Sequence, residues 1–161
     1  MSSEVILIKA VHQHVIENLM QFYMYDFSTY VDCEMGENAL FKSYPGLDEY
    51  WNRKEDRFPY LIKKGDEIAG FVLVKKLSGE PSSFSIAEFF VMRKHRREGV
   101  GTIAAKHVFD THRGNWEVHE RVNNLPAQAF WIKVIGDYTN GQFVEHFKEE
   151  KRFQNFNNAA G

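Results

Sequence analysis

The stretch Arg96-Arg97-Glu98-Gly99-Val100-Gly101 constrains the fold most, because one kind of periodicity stops there and another starts. Upstream, Phe84 to Met92 is an apolar, aromatic-rich run without Pro or Gly, which predicts a buried strand. Downstream, Val100, Ala104 and Val108 recur at helical spacing beside Ile103, Ala105 and Phe109, leaving Lys106 and Asp110 for solvent. A strand that passes through a glycine-bearing turn into a helix leaves the first N–H groups of that helix unpaired and aligned with its dipole. Such a terminus accepts an anion. Gly99 and Gly101 let backbone approach a phosphate where a Cβ would collide, and Arg96 and Arg97 add positive charge beside the same spot. The pattern is neither a P-loop, which needs Gly-x-x-x-x-Gly-Lys-Ser/Thr, nor a dinucleotide fingerprint, which needs a third glycine.

A second segment, Asn124-Leu125-Pro126-Ala127-Gln128-Ala129-Phe130-Trp131, follows at a distance that leaves room for one helix and one strand. Together, Arg-x-x-Gly-x-Gly and Asn-x-x-Ala-x-x-aromatic-aromatic resemble the GNAT N-acetyltransferase superfamily over roughly Tyr60 to Tyr138. Glu88-Phe89-Phe90-Val91 and Phe130-Trp131 look most like a group of small bacterial acetyltransferases of unknown acceptor. The resemblance implies an α+β fold: a mixed, mostly antiparallel central sheet with flanking helices and one splayed parallel strand pair. It implies acetyl-CoA as co-substrate and direct acetyl transfer to a primary amine. The pyrophosphate is expected on Arg96, Arg97 and the amides of Glu98, Gly99, Val100, Gly101 and Thr102. The pantetheine arm is expected against the backbone of Val91, Met92 and Arg93, with Asn124 orienting it and the helix bearing Ala127 and Trp131 lying alongside. Asn124 also fits a helix N-cap before Pro126, and the two roles can coexist.

At 161 residues the chain is read as one domain, 1–161, with its core motifs at 84–138. A net charge of −2 gives no general attraction to nucleic acid, although Arg93-Lys94-His95-Arg96-Arg97 is a basic run. No apolar run approaches the roughly 20 residues of a membrane span. Met1-Ser2-Ser3-Glu4 lacks the marks of a signal peptide, and the single cysteine, Cys33, fits a reducing compartment, so a cytoplasmic location is expected. No metal site is expected: His12 and His14, two apart on a helix, would point in different directions. The sequence leaves the oligomeric state open, a homodimer included.

In chain order, Val5 to Ile8 reads as a strand, and His12 to Tyr25 as a helix with its stripe at Val15, Ile16, Leu19, Met20 and Tyr23. Residues 27–59 form the least periodic third, with a short helix at Leu47 to Trp51. The resemblance gives this region to the acceptor. Asp26, Asp32, Glu34, Glu37, Asp48 and Glu49 are candidates to hold a cationic amine, with Tyr25, Tyr30 and Tyr50 as walls; solvated loop carboxylates are the competing reading. Tyr60 to Ile62 and Ile68 to Val74 make a hairpin around Lys63 to Glu67, and Leu77-Ser78-Gly79-Glu80-Pro81 makes the next turn. Trp116 to His119 begins the fifth strand. Thr139-Asn140-Gly141-Gln142 is predicted as the turn of a closing hairpin, with Asp137-Tyr138 before it and Phe143-Val144 after it. Lys148 to Arg152 is predicted as a solvated charge run, and 155–161 as a frayed tail.

On a regular strand Phe84, Ile86, Glu88, Phe90 and Met92 share one face, which sets a carboxylate in an apolar row. Two readings stand for Glu88: a bulge or an ion pair that turns it to water, or a proton acceptor whose pKa partial burial raises toward neutrality. Glu117 and His119 are second-choice bases. Where many relatives carry a tyrosine that protonates the leaving thiolate, this chain has Trp131, whose indole cannot do so. Either Tyr138 serves from the next strand or the thiolate leaves without a protein acid. Two further readings are a ping-pong route through Cys33, which no neighbouring base supports, and a non-catalytic acyl-CoA sensor.

Overall fold

Strand-forming and helix-forming segments are interspersed along the chain, and a computed structural model describing residues 4–78 and 82–160 assembles the strands into one seven-stranded sheet. The elements are β1 (Val5–Lys9), α1 (Gln13–Phe27), α2 (Glu49–Asn52), β2 (Arg57–Lys64), β3 (Glu67–Lys76), β4 (Ser83–Val91), α3 (Val100–Thr111), β5 (Asn115–Arg121), α4 (Leu125–Thr139), β6 (Val144–Lys148) and β7 (Lys151–Asn157). A 3-10 turn, Arg93–His95, lies between β4 and α3. The strand order is β1-β2-β3-β4-β5-β7-β6, antiparallel except for the pair β4–β5. The predicted turn residues Gly79, Glu80 and Pro81, like Met1 to Ser3, lie outside the described residues.

The sheet separates two cores because each helix has one apolar stripe to bury. On one side α3 and α4 cover it through Ala104, Val108, Phe109, Trp131 and Ile135, which pack with Val72, Val74, Ile86, Trp116 and Val118. On the other, α1 and the segment around α2 supply Ile16, Met20, Leu47 and Tyr50 against Phe71, Leu73 and Phe90. The parallel pairing of β4 with β5 lasts only from Ser83, Phe84 and Ser85 to Asn115, Trp116 and Glu117. Beyond it β4 runs on from Ile86 to Val91 without β5, so the two strands splay and a gap opens through the sheet.

The closing hairpin differs from the expectation. Asn140 and Gly141 have φ of +53° and +80° and terminate α4, the Gly141 N–H bonding to the Gly136 carbonyl at 2.8 Å. Both an Asn-Gly hairpin and a left-handed helix cap require that conformation, so the dipeptide alone does not distinguish them. Tyr138 is therefore helical, and the sheet closes later, around Glu149 and Glu150 within the charge run read as a solvated end. Nor do residues 155–158 fray: 155–157 belong to β7, and the Asn158 amide bonds Gly114 N and Phe109 O at 2.9 and 2.8 Å, while Gly161 lies outside the described residues.

A bulge also changes β4. Leu73 pairs with Glu88 but Val74 pairs with Ile86, so Ala87 is the extra residue. Phe84 and Ile86 consequently face α3, whereas Phe90 and Met92 face α1. Glu88 goes with the second pair, and the single apolar row expected from regular alternation is broken in two.

Candidate functional site

The turn from β4 into α3 ends on Gly99, whose φ of +78° only glycine adopts without strain, and Arg97 before it is also left-handed at +67°. Gly99 is the N-cap of α3, with no side chain to bond the first-turn amides, and the first i→i−4 bond runs from Ile103 N to Gly99 O at 3.1 Å. The amides of Val100, Gly101 and Thr102 thus lack helical acceptors. Gly101 has a different reason to be glycine: a Cβ there would lie 3.1 Å from the Phe130 ring on α4. The two glycines serve the bend and the helix contact in turn.

Gly101 and Thr102 border a cavity of about 590 Å³. Arg96, Arg97, Gly99, Gly101 and Thr102 form one end, and Asn124, Pro126, Ala127, Phe130 and Trp131 the wall along α4. Phe89, Phe90, Val91 and Arg93 supply the β4 side, and Tyr23, Asp26, Phe27, Thr29 and Tyr30 close it from the end of α1. Size and lining suit a ligand with one anionic end and a long, mostly apolar body. Asn124 caps α4, its Oδ1 accepting from Ala127 N at 3.1 Å, and it lines the cavity as well.

The loop's two arginines divide their work. Arg96 ion-pairs with Asp26, donates from Nε to Val91 O at 2.8 Å and lies over the Phe90 ring. Arg93 reaches the same Asp26 at 2.9 Å. Burial pulls the Asp26 carboxyl upward, but the two guanidinium groups outweigh it and hold the pKa below the usual value. Arg97 has no ion pair or side-chain hydrogen bond among the described residues and stands free at the cavity edge. Met92, Glu98 and Val100 do not line the cavity. Met92 N bonds to Ala69 O at 2.7 Å, Glu98 pairs with Lys64 at 2.9 Å, and Val100 is buried in the core.

Glu88 is turned by the bulge toward α1, where its carboxylate accepts hydrogen bonds from Tyr23 Oη at 2.8 Å and Tyr44 Oη at 3.1 Å. Desolvation raises its pKa to about 7, against the pull of the two tyrosine bonds and of Lys75 and Lys151. The bulge does not turn it to water. Glu88 does not itself line the cavity, but Tyr23, which donates to it, does. Tyr23 was legible only as one member of an apolar helical stripe, and Tyr44 carried no signal at all.

Tyr138 sits elsewhere. It lies seven residues past Trp131 on the same helix, about 10 Å along the axis. Its hydroxyl donates to Asp110 at 2.8 Å and accepts from Asn158 at 3.1 Å, and it is not a lining residue. The expectation that it reaches the reacting sulfur from a strand is thereby corrected. Trp131 packs on Phe89 and Phe109 while lining the cavity. His119, on the α1 side of β5, has its pKa lowered to about 4 by burial and by Lys151 and Lys75. Of the acidic candidates only Asp26 lines the cavity; Glu34 pairs with Lys42 and Glu49 lies near Arg53. Tyr30 is a wall as expected, Tyr25 points outward at 67% exposure, and Tyr50 is buried. Among the described residues no group of three or more His, Cys, Asp or Glu could hold a metal ion, and no helix is long and apolar enough to cross a membrane.

The sequence matches the Acetyltransferase (GNAT) family over residues 16–136. No curated protein matches it. Among solved structures, a GNAT-family acetyltransferase from Staphylococcus aureus aligns with a TM-score of 0.69 at 16% identity, over 96% of this chain and 99% of that one. A spermidine N-acetyltransferase from Vibrio cholerae, solved in complex with CoA and spermine, aligns with a TM-score of 0.67 at 14% identity, over 96% of both chains. A ribosomal-protein alanine N-acetyltransferase from Escherichia coli aligns with a TM-score of 0.62 at 12% identity, over 97% of this chain and 95% of that one.

Proposed function

Because this chain belongs to the GNAT acetyltransferase family, we propose that it transfers an acetyl group from acetyl-CoA directly to a primary amine. The observation that carries this reading is one shared cavity. Uncapped α3 amides, the free Arg97 and Tyr23, which is bonded to the raised-pKa Glu88, line the same cavity. The loop from Arg97 to Thr102 would hold the pyrophosphate, with Arg96 braced by Asp26 to fix the shape of the loop. The wall of Phe89, Phe130 and Trp131 would take the apolar arm, and Asn124 would hold its polar groups.

In the transfer, the amine nitrogen forms a bond to the thioester carbonyl carbon and the C–S bond breaks. The proton lost by nitrogen passes to the Tyr23 oxygen as the Tyr23 hydroxyl passes its own to Glu88. The CoA thiolate departs without Tyr138, which is engaged with Asp110 and Asn158. That lack of a protein acid on α4 favours one second reading, a non-catalytic acyl-CoA-binding module. A thiol-release screen across amine classes, paired with calorimetry for CoA, tests both. Turnover that requires Glu88 supports transfer, and tight CoA binding with no release from any amine supports the sensor. Arg97→Ala is expected to weaken CoA binding about tenfold, the worth of a charged hydrogen bond, and unchanged affinity would remove the pyrophosphate from this loop.

A further inference from the structure

The α1 side of the sheet carries a polar row that neither core absorbs. Lys75 pairs with Ser85 across β3–β4, Ser85 with Glu117 across β4–β5, and Glu117 with Asn155 across β5–β7. Directly paired residues share a face. Their neighbours Phe84, Ile86, Trp116, Val118 and Phe156 belong to the α3–α4 core, so this row faces the opposite way, at the closed end of the β4–β5 splay. His119, two residues past Glu117, and Lys151, two before Phe153, join that face, and the bulge brings Glu88 to it.

Two features mark the row as unfinished. Ser85 Oγ, His119 Nδ1 and Asn155 Oδ1 are buried without hydrogen-bond partners, and Ser85 is only 1% exposed. Native structures leave few such atoms unless water or a ligand completes them. Moreover, Lys75, Lys151 and Glu117 are half-buried charges of both signs that form no ion pair among the described residues. Yet both ammonium groups act on Glu88 and His119 alike, lowering the pKa of each carboxyl or ring against burial or along with it.

We propose that this row is the acceptor subsite and that the acceptor is a zwitterionic amine of amino-acid type. Its carboxylate is taken by Lys75 and Lys151, and its amine is turned toward Glu88 and Glu117. The inference rests on the acetyl-transfer reading and adds the substrate class to it. A polyamine would satisfy the two glutamates but would meet two uncompensated ammonium groups, which discriminate against it.

The test is a panel of the twenty protein amino acids, their carboxamides, putrescine and spermidine, followed by thiol release and, on CoA-loaded protein, by calorimetry. At least one amino acid should turn over, with kcat/KM falling about tenfold or more for its carboxamide. Lys75→Met and Lys151→Met, which keep the aliphatic stem, should raise KM for that amino acid about tenfold, collapse its kcat/KM preference over the carboxamide and leave CoA affinity unchanged; Lys75→Arg should largely restore the preference. Turnover confined to polyamines, or equal for acids and amides, overturns the subsite and leaves acetyl transfer standing. Lysine-dependent binding of an amino acid without thiol release keeps the subsite and removes the transfer reading. Neither binding nor release with any amino acid overturns the subsite outright.

Discussion

Glu88, half-buried, and Glu120, buried, lie on opposite faces of the sheet, and desolvation raises the pKa of each to about 7. Their surroundings separate them. Glu88 accepts from two tyrosine hydroxyls, and one of those residues, Tyr23, lines the cavity. Glu120, on the α4 side, is 7% exposed and accepts from Gln154 Nε2 at 2.6 Å; Gln154 is itself fully buried. The nearby cation, Arg152, is occupied by Glu145 and Gln128. A displaced pKa marks a desolvated carboxyl and nothing more. What makes one of these a candidate proton acceptor is a hydroxyl that connects it to a place where substrate can sit.

The largest expected effect tests that connection directly. Glu88→Gln should lower kcat by about 10²–10⁴, the range for losing a general base, while CoA affinity by calorimetry is unchanged. Glu120→Gln should leave kcat within about twofold. Equal losses in the two variants would erase the distinction.

The pH profile comes next in size. With Glu88 as proton acceptor, kcat/KM should climb about tenfold per pH unit below about 7 and level off above it. Glu120→Gln should retain the wild-type curve. Tyr23→Phe removes a hydrogen bond that favours the Glu88 carboxylate, so its residual activity should rise at higher pH than wild type. A profile flat from pH 6 to 9 removes Glu88 from the chemistry.

The same contrast shows where the sequence was informative. Periodicity located β1 to β5, α1, α3 and the glycine bend, because apolar spacing and a left-handed glycine are local facts. The parallel pair and its splay followed only from family resemblance, since nothing in Ser83 to Ser85 or Asn115 to Glu117 spells a three-residue pairing. The face of Glu88 could not be read, because the Ala87 bulge is decided by registry with β3. Tyr23 and Tyr44 lie 65 and 44 residues from Glu88 in sequence, so their convergence is tertiary. Asn140-Gly141 was misread for the opposite reason: its local demand for positive φ is met equally well by a hairpin and by a helix end.

The smallest effect is one in which the two glutamates should behave alike. A carboxyl whose folded pKa lies near 7 rather than at 4.5 makes the folded state bind more protons between those values. Stability from each is therefore complete below about pH 4.5 and lost as pH rises through 7. His112 and His119, with pKa values lowered to about 4, act in the opposite sense, their contribution being lost as pH falls from 6.5 through 4. Replacing either glutamate by glutamine removes a charge that burial disfavours. Urea unfolding at pH 8 should find Glu88→Gln more stable than wild type by on the order of 2 kcal/mol, and Glu120→Gln shifted in the same direction, while neither differs much at pH 4.5. A Glu88→Gln protein that gains stability and loses turnover, beside a Glu120→Gln protein that gains stability and keeps it, would show one physical cost incurred at two sites, and used for chemistry at only one.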